Sequence, residues 1–537
     1  MTDRKSRYVE ARRAAFASGR IDRRSFMASM LAAGVTIPAA MGMADAARAA
    51  TPNKGGRFRL GMAHGSTTDS LDPATYENGM TTHMAFTYGN NLVEVAPDGS
   101  VRPELAEEFE ARDGGRVWAF KLRPGVTFHD GKDLTPEDVL ATFAHHMGEE
   151  SKSAAKGLLT SVTDVRAEGN DTVVFELDAP NADFPFVITD YHLIILPSRD
   201  GAVDPTAGIG TGPYRMTGFE PGVRFTGTRN PDYFKDGAAH FDEVEILSII
   251  DVTARQNALL NGEVEAADRL DPKTLALLER APQLRVVEQT GYLHYTFPMR
   301  LDTPPFGDFD LRMALKLAVD KRELVDKILL GRGALGNDHP ISPTVPYHAA
   351  ALPQRDYDPD QAAFHYRRSG HEGPIRLSAS DAAFSGAVDA AQLVQASAKA
   401  AGIDIEIVRE PRDGYWSNVW NKKGWCTCYW GGRPTCDWMF SAAYVEGTEW
   451  NDTAWRNTEA ADRFNALVVE ARAELDPAKR TDMYFESQRL IHEDGGAIVP
   501  MFANYLMGVN TSVRTPEVIA ANWENDGHKA IERWWFA

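Results

Sequence analysis

Residues 22–50 read DRRSFMASMLAAGVTIPAAMGMADAARAA, and this stretch sets the conditions under which everything after it must fold. Arg23-Arg24 precede Ser25, Phe26 and Met27. A small-residue apolar run follows from Ala28 to Ala44, and Ala47-Arg48-Ala49 closes it as an A-x-A-like cleavage site. This is the pattern of a twin-arginine export signal. It predicts a leader at 1–49 that is removed, and a mature protein that folds in the cytoplasm but works outside it. The apolar run is about 17 residues long and rich in Ala and Gly, whereas a membrane span needs ~20 strongly apolar residues. A cleaved leader is therefore expected rather than an anchor. DNA binding, cytosolic metabolism and nucleotide-driven chemistry do not fit that location.

About 490 residues remain after cleavage, too many for one compact core, so two or three domains are expected. The leader carries nine Lys/Arg against four Asp/Glu, which leaves a net charge of about −24 on the rest of the chain. A surface that acidic repels nucleic acid and anionic lipid. The three cysteines, Cys426, Cys428 and Cys436, lie within eleven residues. They exclude a disulfide framework, and none stands near the cleavage site to accept a lipid. A soluble, unlipidated periplasmic protein is expected.

Strands and helices alternate along the chain. Residues 51–60 lead into a first strand, and Asp113-Gly114-Gly115 marks a hairpin between apolar alternations at 101–122. Thr135-Pro136-Glu137-Asp138 opens a helix with a good N-cap and acids at its positive end. A strand is expected at 171–177, a Gly/Pro-rich domain crossing at 204–214, and a strand then a helix at 241–260. One helix is expected over 309–330, ending at Gly331. The Pro-rich segment 339–359 reads as a linker or surface excursion. A β-α-β rhythm over 375–408, a final helix at 477–493 and a strand at 497–509 complete a mixed α/β pattern.

Several blocks, in order, carry a resemblance: LDPATYE (71–77), PELAEEFE (103–110), WAFKLRPGVTFHDGKDLTPEDVLATF (118–143), GTGPYRM (210–216) and RNPDYF (229–234). ARQNALLNGEVEAAD (254–268), PPFGDFDLRMALKLAVDKRELV (304–325) and DYDPDQAAFHYRRSG (356–370) follow. The chain resembles the extracytoplasmic solute-binding proteins of the peptide/nickel family that serve ABC importers, over nearly its whole mature length. The resemblance implies an α/β, bilobal periplasmic-binding-protein fold with an extra domain, type II and cluster C-like, with the ligand cleft between the lobes. It places lobe I at 50–91, 198–300 and 496–537, the additional domain at 92–197 and lobe II at 301–495. It implies no catalysis and no cofactor. The expected partners are a small-molecule or peptide ligand and an inner-membrane ABC permease with its ATPase, served by a monomer that binds no nucleic acid. Closure of the lobes on ligand is then a population shift, because only the closed state lets the ligand touch both walls.

Specificity is expected in one window. Seven of the eleven tryptophans fall between 416 and 455, around GWCTCYWGGRPTCDWMF at 424–440. Aromatic walls with a few polar groups suit a small-ligand cleft and attract ammonium groups, although each single ring also suits a core. In peptide-binding members of the family a Gly-Trp-Cys-x-Asp stretch supplies the Asp that pairs with the peptide amino terminus. Gly424-Trp425-Cys426-Thr427 match, but Cys428 stands where the Asp would be. A thiol cannot neutralise a buried ammonium, so peptide binding in that mode is not expected. The resemblance carries over Trp425, and Glu77 as a cleft residue. Asp437 is a candidate acceptor for an amine, and Arg433 a clamp for a carboxylate or phosphate. The alternative is that these two bridge each other. Tyr429, Trp430 and Trp438 are candidate wall residues. The ligand expected is peptide-like, opine-like or amine-bearing. An oligosaccharide or metal chelate is the alternative within the family, and an exported hydrolase the alternative outside it.

Other motifs carry less. Gly331-Arg332-Gly333-Ala334-Leu335-Gly336 matches GxGxxG but follows a helix rather than a strand. Ser153-Ala154-Ala155-Lys156 matches SxxK with no KTG beside it. The cysteines lack the spacing of a metal site and read as small buried hydrophobes. His145-His146 reads as a surface pair.

Overall fold

The computed structural model describes residues 12, 23–33, 52–76, 78–411, 415–448 and 450–537. Within the leader, Arg23–Ala32 is helical; the cleavage site lies outside the described residues, and so does Glu77. Among the described residues no helix is long and apolar enough to cross a membrane.

A nine-stranded mixed sheet organises the chain. Arg57–Met62 pairs in parallel with Glu243–Ser248 and with Ala266–Ala267. On the far side of Glu243–Ser248 lie Arg224–Arg229 and then Tyr214–Glu220. Ala266–Ala267 passes the sheet on to two long antiparallel strands, Ala497–Asn510 and Leu284–Pro298, and Cys428–Trp430 forms the far edge.

The two long strands serve two cores. Val287, Met507 and Val509 enter a core with Phe58, Leu60, Tyr214 and Trp534. Further along the same strands, Phe297, Ile498 and Met501 enter another with Leu315, Leu377 and Val394. Between them the register slips from Thr290 to His294. A side chain at Gly291 would place its Cβ 2.1 Å from the Tyr505 ring, so only glycine lets the strands cross there. Both long strands carry the chain across this slip from one core to the other.

A separate antiparallel sheet, Ala106–Arg112, Val117–Leu122, Thr172–Leu177 and Val162–Glu168, closes its own core against the helix Pro136–Met147. The expected hairpin forms, with Arg112 opposite Val117. Asp138 accepts hydrogen bonds from the Thr135 N–H and hydroxyl, both 2.9 Å, which fixes the helix start. The 375–408 rhythm is a parallel pair, Ile375–Ala379 with Ile405–Arg409, joined by the helix Ala387–Lys399.

Three expectations change. The 309–330 helix is two, Phe309–Ala318 and Lys321–Ile328, because Val319 is extended and Asp320 starts a new helix by accepting the Glu323 N–H at 3.0 Å. The apolar spacing survives the break, so periodicity does not reveal it. Segment 339–359 is a surface excursion only in part: Ile341, Ser342 and Val345 are buried, while Pro343, Thr344 and Pro346 are exposed. Gln488 satisfies its backbone, accepting the Ala349 N–H at 2.9 Å and donating to Tyr347 at 2.8 Å. His146 is buried against Ser153, 2.7 Å away. The GxGxxG letters fall on a strand, Gly333–Leu335, paired to Ala497–Asn510.

Candidate functional site

The edge strand Cys428–Trp430 pairs with Leu284–Pro298 so that Tyr295 and Tyr429 stand opposite each other and share a face. Tyr295 stacks on Phe384 with centroids 4.0 Å apart and planes within 5°. Tyr429 meets the edge of Trp416 at 5.5 Å. Strand alternation turns Cys428 and Trp430 to the other face. There Asp452 accepts the indole N–H of Trp420 at 3.0 Å and of Trp430 at 3.3 Å. Burial pushes the Asp452 carboxyl up to about 6, against the pull of those donors. Burial and then Asp452 push the Cys428 thiol up, so it stays protonated. All three cysteines are free and buried.

Trp425 is fully packed, its indole N–H 3.3 Å from the Phe297 carbonyl. Asp437, near the start of the helix Cys436–Ala443, accepts from Arg472 Nε at 3.0 and 3.1 Å. It does not bridge Arg433. Arg433 instead lies over the Trp438 ring, 5.8 Å from its centroid, and donates from one nitrogen to the Gly432 carbonyl at 2.7 Å. Gly432 is glycine of necessity: its φ is +76°, and a Cβ would sit 2.2 Å from Tyr292. Among the described residues no carboxylate forms an ion pair with Arg433. Burial pushes its guanidinium down, and Tyr191 and Asp190 are the groups that support its charge. Asp190 is itself taken by His192, 2.5 Å away. Arg433 is thus a half-buried guanidinium with most of its donors unused, free to donate hydrogen bonds to an anion's oxygens.

Within electrostatic reach of Tyr429 and Tyr295 stands an ion pair that no sequence motif marks, Arg269 with Glu524. Arg269 has φ +44°, and Glu524 leads into four successive left-handed residues, Asn525 to His528. His64 accepts the Gly79 N–H at Nδ1, 3.0 Å, which leaves its proton on Nε2. Burial pushes both His64 and His528 down to about 4, so both are neutral at physiological pH. Only the Asn-Asp-Gly letters at 525–527 hint at this turn in the sequence.

Among the described residues one set of carboxylates lies close enough to share a cation, Glu94, Glu104 and Glu532. Lys235 already sits 2.6 Å from Glu104 and 2.9 Å from Glu532, and Lys529 sits 2.6 Å from Glu104. It is a neutralised charge network.

The sequence profile of the bacterial extracellular solute-binding proteins, family 5 (middle region), matches residues 100–452. The chain belongs to this family. Di/tripeptide-binding protein 2 of Pseudomonas aeruginosa (strain UCBPP-PA14) is 26% identical over 465 residues, covering 79% of this chain and 86% of that one. The glutathione-binding protein GsiB of Pectobacterium atrosepticum is 24% identical over 328 residues, 58% of this chain and 61% of that one. Among solved structures, AgaA of A. tumefaciens R10 in complex with agropinic acid superposes with a TM-score of 0.74 at 22% identity, covering 90% of this chain and 99% of that one. NikZ of Campylobacter jejuni in complex with Ni(L-His) gives 0.75 at 18%, covering 89% and 99%. The solute-binding protein thus has the type II, bilobal α/β periplasmic-binding-protein fold.

In this family 5 protein the expected site residues divide. Tyr429 stays half-buried beside Tyr295 and Trp416, and Arg433, with no carboxylate partner among the described residues, lies over the Trp438 ring. Trp425, Cys428, Trp430 and Asp437 turn to packing or to internal partners.

Proposed function

We propose that the mature protein, exported by its twin-arginine leader and free of lipid, captures a small carboxylate-bearing solute in the periplasm and hands it to an ABC permease with its ATPase. It acts as a monomer and transforms nothing. Its lobes are 50–91, 198–300 and 496–537 on one side and 301–495 on the other, with 92–197 as an added domain. The separate cores and the two-strand crossing near Gly291 support that division. The observation that carries the ligand class is Arg433, half-buried and without a carboxylate partner among the described residues. The names of the relatives agree: di- and tripeptides, glutathione and agropinic acid all bear carboxylates. Cys428 argues against peptide recognition through an aspartate at that position, and Asp452 beside it is already held by two indoles.

The test is a thermal-shift screen of carboxylate-bearing solutes, with mass analysis of each solute afterwards. A hit that raises the melting temperature and is recovered unchanged is the expected result. Conversion of the hit to a product, or hits confined to uncharged sugars, contradicts the proposal.

A further inference from the structure

The Arg269–Glu524 pair is not arranged as a closed structural bridge. Arg269 contacts a single carboxylate oxygen of Glu524, through both Nε and a terminal nitrogen, at 2.5 Å. A planar guanidinium normally uses two parallel bonds to two oxygens. Here the Glu524 carboxylate also takes its own backbone N–H, and its second oxygen, which Arg269 does not reach, lies 3.9 Å from His528 Nε2. Arg269 keeps 38% of its side chain accessible although burial is the largest influence on it, while Glu524 keeps 9%. Arg269 is thus open to solvent beside a buried Glu524, and Tyr429 and Tyr295 lie within electrostatic reach of the pair.

The backbone holds this pair at a cost. Arg269 has φ +44°, and Asn525, Asp526, Gly527 and His528 have φ of 54°, 60°, 65° and 60°. L-residues rarely adopt that region, and runs of it persist where surrounding structure and function hold them. The neighbouring His64 and His528 are neutral, and the His64 Nε2 proton is available for donation. The wall therefore offers one positive and one negative group, side by side, each with an open valence.

We propose that this pair is a docking point for an α-amino-acid head group, its ammonium on the second oxygen of Glu524 and its carboxylate on the open donors of Arg269. This rests on the proposed function, in which Arg433 takes a carboxylate. The solute is then zwitterionic at one end and carries a second acidic group at the other. The ammonium site that a peptide binder places on the strand at 428 has moved to the opposite lobe.

Calorimetry on the full mature chain tests this with two probes, γ-L-glutamylglycine and its N-acetyl derivative, which lacks the ammonium. The wild type is expected to bind the free amine at least about thirtyfold more tightly. In Glu524→Gln that preference is expected to shrink to about threefold or less, with binding of the acetylated probe retained. Arg269→Lys serves as a second variant, expected to weaken both probes. Equal binding of the two probes by the wild type overturns this inference and leaves the Arg433 reading standing. Binding of neither overturns the solute class on which both rest. The wild-type comparison decides the matter even where a variant fails to fold.

Discussion

Two regions that the proposed function sets across the cleft from each other are built on opposite plans. The region around the strand Cys428–Trp430 is aromatic, and two of its acids have partners: Asp452 two indoles, Asp437 Arg472. Arg433 beside them has no carboxylate partner among the described residues. The region around Arg269 and Glu524 has fewer tryptophans, Trp523 stacking on His528, and an ion pair flanked by left-handed backbone in which Arg269 reaches a single carboxylate oxygen. On the proposed function the difference teaches that aromatic density marks where a lobe packs, whereas unspent hydrogen-bonding capacity marks where a ligand docks. A Trp-rich window attracts attention in a sequence because it is conspicuous. An unpaired charge is invisible there, since pairing is a property of space.

Removing Arg433 tests that contrast most severely. Arg433→Ala is expected to lower affinity for a carboxylate-bearing solute several hundredfold, about 3–4 kcal/mol, in a titration. The unliganded protein should be no less stable, because the half-buried cation that is lost has no carboxylate partner among the described residues. A loss of stability with affinity intact would make Arg433 part of the packing.

Asp452 gives the complementary pH test. Its carboxyl is raised from 3.8 to about 6, so between those values the folded state holds a proton that the unfolded state has released. Stability therefore falls as pH rises through that window, by up to about 3 kcal/mol. Asp452→Asn still accepts both indole N–H groups and removes this slope. Urea midpoints at pH 4 and pH 7, wild type against variant, measure the difference. A slope unchanged in the variant would show that Asp452 is not buried in its charged form.

Cys428→Asp restores the letters of a peptide binder. It puts a second carboxylate beside Asp452, within hydrogen-bonding reach of the present thiol. The expected outcome is a loss of about 2 kcal/mol in chemical denaturation and no gain in dipeptide affinity. A gain would mean that position 428 does reach the ligand. The smallest effect is expected from Asp437→Asn. It weakens the bond to Arg472, whose side chain is 32% exposed, so the cost is about 1 kcal/mol after screening. Ligand affinity should stay within about threefold, since neither group faces the ligand.

Much of the fold is legible in the sequence because it is local. The 113–115 turn, the Thr135 helix start and the 375–408 alternation follow from propensity, capping and period. The break at Val319–Asp320 escapes because both helices keep one apolar face. The partly buried course of 339–359 escapes because Gln488, far along the chain, satisfies its backbone. At the site, the residue types are legible and their partners are not. Arg433 and Asp437 look alike as candidates at 433–437 until Arg472 claims one of them. Arg269 and Glu524 lie 255 residues apart, and no spacing rule connects them.

Native mass spectrometry of the protein as purified from the periplasm measures the central claim directly. The account predicts a retained small solute bearing at least one carboxylate, kept by Asp437→Asn and lost from Arg433→Ala. A solute without an acidic group, or one retained equally by Arg433→Ala, would contradict it.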